Sequence, residues 1–250
     1  MRLQMDMLKP VAKVMAETTL RQLATAKYVT IFGTLEILTI QLTNKMQKIM
    51  YNERFGLEQA VIYGIKRTTR RTAYNGEISK PNWVICLEGK DKGKAYLCDG
   101  ECVIAKSRYA IGEVVAIAQS YKSLGYDIAA LGNHAGWNNK LYVCADFMPH
   151  RIKITDIRIE RLQDISDEDC MKEGVYCMKE GVYYHTEPPK HHECDRYSLW
   201  NPSVKPYKFE SNKYFCSAKY AFKHLIDRVS GKGTWECNPW VFVYDFELVK

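Results

Sequence analysis

Hydrophobic and polar residues alternate most regularly near the C-terminal end of the chain. The apolar residues of one phase are Trp240, Phe242, Tyr244, Phe246 and Leu248, and the other phase is Val241, Val243, Asp245 and Glu247. A period of two is typical of a β-strand. A second long strand is predicted from Ile152 to Leu162, where the apolar phase changes after Ile154. This change indicates a β-bulge near residues 155–156.

Helical spacing marks three other segments. A first helix is predicted after Asn52, its candidate cap, with an apolar face of Leu57, Ala60, Val61 and Ile65. Ser166 is predicted to cap a short second helix that Gly174 ends, because Asp169 follows the cap by three residues. The third helix has an apolar stripe of Ala218, Ala221, Phe222, Leu225 and Val229.

Shorter elements complete the prediction of the fold. Further β-like runs are residues 83–87, 95–97, 114–119 and 141–147, and loop insertions are predicted near 88–107, 121–140 and 176–214. Residues 1–43 differ from the rest and form a predicted N-terminal extension, a helix followed by a β-prone segment, which leaves 44–250 as the main domain. Because regular βαβ alternation is missing, we predict an α+β fold with a mostly antiparallel, barrel-like sheet.

Composition narrows the class of protein. The formal net charge is +7, which permits an anionic partner without requiring one. Nine cysteines, an odd number at irregular spacing, favour reduced thiols over a disulfide framework. The N-terminus has no uninterrupted apolar core typical of a signal peptide, and the run 28–42 is too short and polar for a bilayer. We therefore predict a cytoplasmic protein without a membrane partner, and leave its oligomeric state open.

The first candidate site is a basic turn at residues 66–71, directly after the first predicted helix. Four of its six residues are cations, namely Lys66, Arg67, Arg70 and Arg71, and two are the hydroxyl residues Thr68 and Thr69. Crowding lowers the pKa of a lysine, which suits a general base. Such a turn is also suited to gripping a phosphate or a base edge. The competing interpretation is a solvated surface turn.

The second candidate is Glu173, in the last turn of the helix that begins at Ser166. Carboxylates are disfavoured there because the helix C-terminus carries partial negative charge, so a glutamate kept at this place suits proton transfer. A heptapeptide that occurs twice, at 170–176 and 177–183, offers Glu180 as an equivalent. An ordinary solvent-exposed glutamate is the alternative.

For two further groups of candidate residues, a structural role explains the sequence better than a functional one. Base-stacking aromatic residues are Tyr109, Tyr121, Trp137 and Trp240, although residues of this type are more often core. Candidate zinc ligands are Cys98, Cys102, His185, His191, His192 and Cys194. Their spacing matches no common zinc motif, so we predict neither a metal site nor a cofactor.

Four segments in the same order resemble the ASCH-domain family. Residues 49–71, with Lys66 and Thr69, are similar to its opening helix and GRKTxTxR turn, although Ile65 and Arg67 replace two motif residues. Residues 108–115 resemble the following strand, and 154–174 resemble the later strand and helix. Residues 235–246 are similar to the closing strand of larger members, many of them from phages and prophage-carrying bacteria.

The resemblance implies a PUA-like β-barrel that binds RNA or acts on nucleosides in a basic cleft. A small bacterial member is an N4-acetylcytidine amidohydrolase, and its catalytic Lys, Thr and Glu correspond to Lys66, Thr69 and Glu173. Three hypotheses follow. The chain is an RNA- or nucleoside-binding module, with Arg67, Arg70, Arg71 and Tyr109 as further ligand contacts; or an amidohydrolase for an N-acylated nucleoside; or a metal-independent ribonuclease.

Overall fold

The structure is a computed structural model that describes residues 46–178, 196–199, 215 and 217–249. These residues belong to one compact unit that begins at Met46. The predictions for residues 1–43, for Glu180 and for the histidine-containing segment 185–194 lie outside the described residues. Along the described ranges, no helix combines the length and the apolar character that a membrane crossing requires.

Five strands form the central sheet in the order β1-β6-β7-β10-β2. They are β1 (Lys48–Ile49), β2 (Thr68–Tyr74), β6 (Val114–Ile117), β7 (Arg151–Arg161) and β10 (Trp240–Val249). Only the pair of β1 and β6 is parallel within this sheet. The predicted α+β class with mostly antiparallel pairing is therefore confirmed. In the described ranges the sheet is open, with β1 and β2 as its edges.

The bulge predicted in β7 is present and has a clear packing role. Asp245 of β10 pairs with Asp156, whereas the next residue, Phe246, pairs with Ile154, so Thr155 is the extra residue. An extra residue reverses the phase of the side chains that follow it. For this reason the isoleucines on both sides of the bulge, Ile152, Ile154, Ile157 and Ile159, lie in the same core.

A separate antiparallel sheet occupies the segment in which an insertion was predicted near 88–107. Its strands are β3 (Pro81–Ile85), β4 (Ala95–Asp99) and β5 (Cys102–Lys106). Leu97 of β4 is buried in the main core, which attaches this sheet to the domain. A third, two-stranded sheet pairs β8 (Val175–Met178) with β9 (Arg196–Leu199).

Two local predictions were wrong. The run 141–147 is not a strand but two 3₁₀ turns, Lys140–Tyr142 and Ala145–Phe147. The side chain of Asn139 accepts a hydrogen bond from the Leu141 amide, which favours a turn over extended backbone. The first helix, α1 (Leu57–Ile62), begins five residues after Asn52, because a 3₁₀ turn and a left-handed Gly56 (φ 66°) intervene.

The remaining helices are α2 (Ile128–Leu131), α3 (Asp167–Lys172), α4 (Ala218–Ser230) and α5 (Thr234–Cys237). Helices α3 and α4 were predicted, whereas α2 lies in the segment 121–140 predicted as a loop and α5 was not predicted. The apolar stripe of α4 packs on one face of the central sheet, against Val241 and Val243 of β10. Phe242 and Tyr244 point to the opposite face and join the main core. The central sheet is thus covered on both faces at β10.

Helix α3 begins as predicted, because the Ser166 hydroxyl accepts a hydrogen bond of 3.1 Å from the Asp169 amide. Removing the cap with Ser166→Ala is expected to lower the free energy of unfolding by about 1 kcal/mol. Ser166→Asn, which keeps a capping acceptor, is the matched control and should stay close to wild type. Urea unfolding measures both variants, and equal stability of the two would contradict a capping role.

Candidate ligand-binding cavity

A cavity of about 220 Å³ opens between strand β2, helix α4 and the residues that follow β1. Its polar lining includes Asn52, Lys66, Thr69, Arg70, Arg71, Thr72, Glu173, Ser230 and Thr234. Its apolar lining includes Met50, Tyr51, Leu57, Leu162, Phe222, Leu225, Ile226, Val229 and Val241. The cavity therefore combines an apolar wall with convergent polar groups, the usual composition of small-molecule sites.

Lys66 and Glu173 form an ion pair in this lining although 107 residues separate them in the chain. The Lys66 Nζ donates to Glu173 Oε2, and it lies 3.2 Å from the Glu173 carbonyl oxygen. The two residues are only 3% and 4% exposed. Gly174 (φ 104°) turns the backbone directly after Glu173, in a conformation that favours glycine.

Burial lowers the pKa of Lys66, and the nearby Glu173 carboxylate opposes this shift. A buried lysine of this kind is more easily deprotonated than a solvated one, because the low-dielectric surroundings disfavour its charged form. The Lys66 amine and the Glu173 carboxylate are in direct hydrogen-bonding contact.

Arg70 holds the other oxygen of Glu173. Its Nη1 donates to Glu173 Oε1 at 3.1 Å, while Nη2 contacts Glu160 at 2.6 Å and Asp169 at 3.1 Å. The guanidinium also lies 5.9 Å from the centre of the Phe222 ring. Three carboxylates thus share one buried cation, and Glu173 is fixed between Arg70 and Lys66.

A further layer of charges supports Arg70. Arg158 contacts Asp169 and Glu160, and its Nη1 lies 2.5 Å from Asp245 Oδ2. Thr68 Oγ1 donates to the other oxygen of Asp245 at 2.7 Å. The network joins β2, β7, α3 and β10, so the position of Glu173 depends on four separate elements.

The expected basic turn at 66–71 is mostly strand, because β2 begins at Thr68. Thr68 and Arg70 pair with Asp245 and Val243, whereas Thr69 and Arg71 pair with residues on the opposite face. Arg71 Nη2 donates to the Met50 carbonyl at 2.6 Å. Repulsion between the two guanidinium groups is reduced because Arg70 and Arg71 lie on opposite faces of β2. Arg70 contacts carboxylates, whereas Arg71 donates to the Met50 carbonyl.

The structure does not bring all the proposed contact residues into the cavity. Arg67 is exposed, and its Nε donates to the Gly64 carbonyl at 2.9 Å. Tyr109 is buried in the main core, where its hydroxyl donates to the Lys48 carbonyl at 3.0 Å and its ring packs on Tyr244. Within the described lining, the predicted residues Lys66, Thr69, Arg70, Arg71 and Glu173 are present.

The other aromatic candidates have structural roles. Tyr121 and Trp137 pack in a small core beneath the loop 121–140. Trp240 lies on the main core, with the Arg161 guanidinium 4.6 Å from its ring centre. In the ranges that the structure covers, no group of three or more metal-binding side chains occurs. Cys98 and Cys102 both carry free thiols there.

Sequence reasoning missed the walls of the cavity. Leu225 and Val229 belong to the stripe predicted as core, and the C-terminal half of that stripe lines the cavity. Nothing in a regular apolar stripe distinguishes residues that fill a core from residues that border a void. Tyr51 was missed as well, although it directly precedes Asn52, the residue considered as a helix cap.

Comparisons of this chain with protein-family models, with curated proteins and with solved structures found no match. Its function has to be inferred from the cavity itself. The cavity offers a buried Lys66–Glu173 pair, the hydroxyl residue Thr69 and the guanidinium of Arg71 beside an apolar wall. This arrangement is suited to holding a small, partly apolar ligand and to moving a proton to or from it.

Proposed function

We propose that this cavity binds one nucleoside or nucleobase unit. The observation that carries the proposal is the lining, in which Lys66, Thr69 and Glu173 border the same cavity as the apolar residues of α4. The hydrogen-bonding groups of Lys66, Thr69 and Glu173 suit the edge of a base, and the apolar side chains of α4 suit its faces.

A single unit fits better than a polynucleotide. The volume of about 220 Å³ lies below the range of about 300–1,000 Å³ typical of drug-sized ligands. The cations that a phosphate backbone requires already have protein acceptors: three carboxylates for Arg70 and the Met50 carbonyl for Arg71. Recognition therefore rests on the base or nucleoside, either free or at an accessible position in RNA.

We also propose that the chain is a divergent ASCH-domain protein with a PUA-like fold. The proposal rests on the motif resemblance, and it is supported by the common location of Lys66, Thr69 and Glu173 in one lining although Glu173 is distant in sequence. A side-chain contact also links the two edges of the open sheet, since Arg71 Nη2 of β2 donates to the carbonyl of Met50, directly after β1.

The buried Lys66–Glu173 pair favours a second function, hydrolysis of an amide on the bound nucleoside. With the pair as amine and carboxylic acid, Lys66 accepts the proton of the attacking hydroxyl, either Thr69 Oγ1 or water, as a new bond forms to the acyl carbon. Glu173 gives its proton to the departing amine as the C–N bond breaks. We propose that Arg71 stabilises the oxyanion through the guanidinium N–H groups other than the one that bonds the Met50 carbonyl.

If Thr69 attacks, its acyl ester is hydrolysed in a second step. The proton returns from Lys66 to Glu173, and Lys66 then accepts a proton from water as this water attacks the ester. Glu173 returns a proton to Thr69 Oγ1, which leaves the acyl group as a carboxylic acid and restores the ion pair. N4-acetylcytidine is the substrate to examine first, because it carries both a nucleoside and an acyl amide.

Calorimetric titration of the full-length protein with cytidine, N4-acetylcytidine, uridine and adenosine tests the binding proposal. We expect saturable binding of at least one nucleoside, with weak dependence on salt because phosphate contacts are not required. Val229→Trp, which fills the cavity, should abolish this binding. Lys219→Trp, at an exposed position of the same helix, is the matched control and should bind like wild type.

Two outcomes would overturn the proposal of a single-unit site. One is the absence of binding to every nucleoside. The other is binding of only an oligoribonucleotide, with affinity that falls steeply with salt, because phosphate contacts would then supply the affinity. Cleavage of that oligoribonucleotide in the presence of a chelator would favour the metal-independent ribonuclease.

A further inference from the structure

Tyr51 is a buried residue of the cavity lining that the proposed chemistry does not use. It lies two residues after β1 and is only 3% exposed. Its ring centre is 6.1 Å from that of Phe246, and the Arg71 guanidinium lies 5.7 Å from it. The ring is therefore held between the main core and a cation of the cavity.

The hydroxyl of Tyr51 is buried and has no hydrogen-bond partner among the described residues, although most such groups in folded proteins have one. Two neighbouring tyrosines of the same core differ in this respect. Tyr109 donates to the Lys48 carbonyl at 3.0 Å, and Tyr244 accepts from the Arg108 amide at 3.0 Å. An unsatisfied buried hydroxyl destabilises the fold. Its position beside a cavity points to a partner that the ligand supplies.

We infer that the phenol of Tyr51 is a specificity-determining group that donates a hydrogen bond to a carbonyl oxygen of the bound nucleoside. The inference rests on the proposed nucleoside site and adds the atom that this site recognises. Tyr51 is part of the lining, so a ligand in the cavity lies beside this residue. The hydroxyl oxygen exposes less than 1 Å², so the inferred bond requires the ring to shift toward the ligand on binding.

The phenol is a donor for two physical reasons. Burial raises the pKa of Tyr51 well above its ordinary value, so the hydroxyl keeps its proton at neutral pH. The Arg71 guanidinium already lies beside the same ring. The ligand atom that approaches this cation and the phenol O–H is therefore expected to be an electron-rich oxygen and not another hydrogen-bond donor. A pyrimidine ring carbonyl and the carbonyl of an N-acyl group both meet this requirement.

The test compares Tyr51→Phe with Tyr109→Phe by nucleoside titration and by urea unfolding. Tyr51→Phe should weaken binding by roughly tenfold or more, because the ligand oxygen loses its donor in a buried site. Its unfolding midpoint should match or exceed that of wild type, because an unsatisfied hydroxyl is removed. Tyr109→Phe should show the reverse pattern, with wild-type affinity and a lower midpoint, because it loses the bond to the Lys48 carbonyl.

The source of the carbonyl is found by comparing two ligands. An equal loss of affinity for cytidine and N4-acetylcytidine assigns the bond to the ring carbonyl, and a loss confined to N4-acetylcytidine assigns it to the acyl group. Wild-type affinity of Tyr51→Phe for both ligands, or a lowered unfolding midpoint, would overturn the inference alone. Failure of wild type to bind any nucleoside would instead overturn the nucleoside site itself, and this inference with it.

Discussion

Replacing Lys66 by methionine should lower the rate of N4-acetylcytidine hydrolysis by a factor of about 10²–10⁴, the usual contribution of a positioned general base. Methionine keeps an unbranched apolar side chain in the buried position and removes only the amine. Glu173 retains its bond to Arg70, so the carboxylate stays in place while the proton acceptor is lost. Release of cytidine, followed chromatographically for wild type and variant, measures the effect.

Lys94→Met separates this loss from the general effect of removing a lysine from an ion pair. Lys94 contacts the Asp91 carboxylate at 2.9 Å, and both residues lie outside the described cavity lining. This variant should keep its specific activity. In addition, Lys66→Met combined with Glu173→Gln should be little slower than Lys66→Met alone, because residues that act as a unit are not additive. Wild-type activity in Lys66→Met would exclude the proposed base.

Replacing Arg70 by methionine should lower the free energy of unfolding by about 3–5 kcal/mol, the cost of removing one partner from a buried ionic group. Arg70 is the cation shared by Glu160, Asp169 and Glu173. Its loss leaves these carboxylates without that buried cation, although Lys66 remains in contact with Glu173 and Arg158 with Glu160 and Asp169. Urea denaturation followed by circular dichroism measures the change.

Arg67→Met is the matched control, three residues away in the same basic segment. Arg67 is exposed and makes a local bond to the Gly64 carbonyl, so its replacement should change stability by no more than about 0.5 kcal/mol. A loss below about 1 kcal/mol for Arg70→Met would show that the network behaves like an exposed ion pair. If Arg70→Met and Arg67→Met lowered the free energy of unfolding equally, the burial of Arg70 would not explain its contribution to stability.

Local patterns in the sequence predicted those elements whose stability depends on near neighbours. The strict alternation of residues 240–248 predicted β10, and the change of phase after Ile154 predicted the bulge at Thr155. Ser166 and Gly174 bounded α3 correctly, because a cap and a left-handed glycine act on backbone groups only a few residues away.

Local patterns gave wrong predictions where contacts with distant segments determine the structure. The run 141–147 has the composition of a strand but finds no strand partner among the described residues, and Asn139 turns its backbone instead. Tyr109 was predicted as a ligand contact, although aromatic residues of this type are more often core. Its place in the core depends on Tyr244 and Lys48, which are far from it in the chain.

The sequence by itself determined which side chains carry the candidate chemistry: Lys66, Thr69 and Glu173, together with the cations beside them. Only the tertiary structure decided that Arg70 contacts three carboxylates about a hundred residues away and that α4 borders a cavity. It alone shows that the hydroxyl of Tyr51 lacks a hydrogen-bond partner in the part of the chain that the structure describes. The physical reason is the sequence separation over which each kind of interaction acts. Periodicity and capping are set within a few residues, whereas burial, ion pairing and enclosed volume depend on which distant segments the fold brings together.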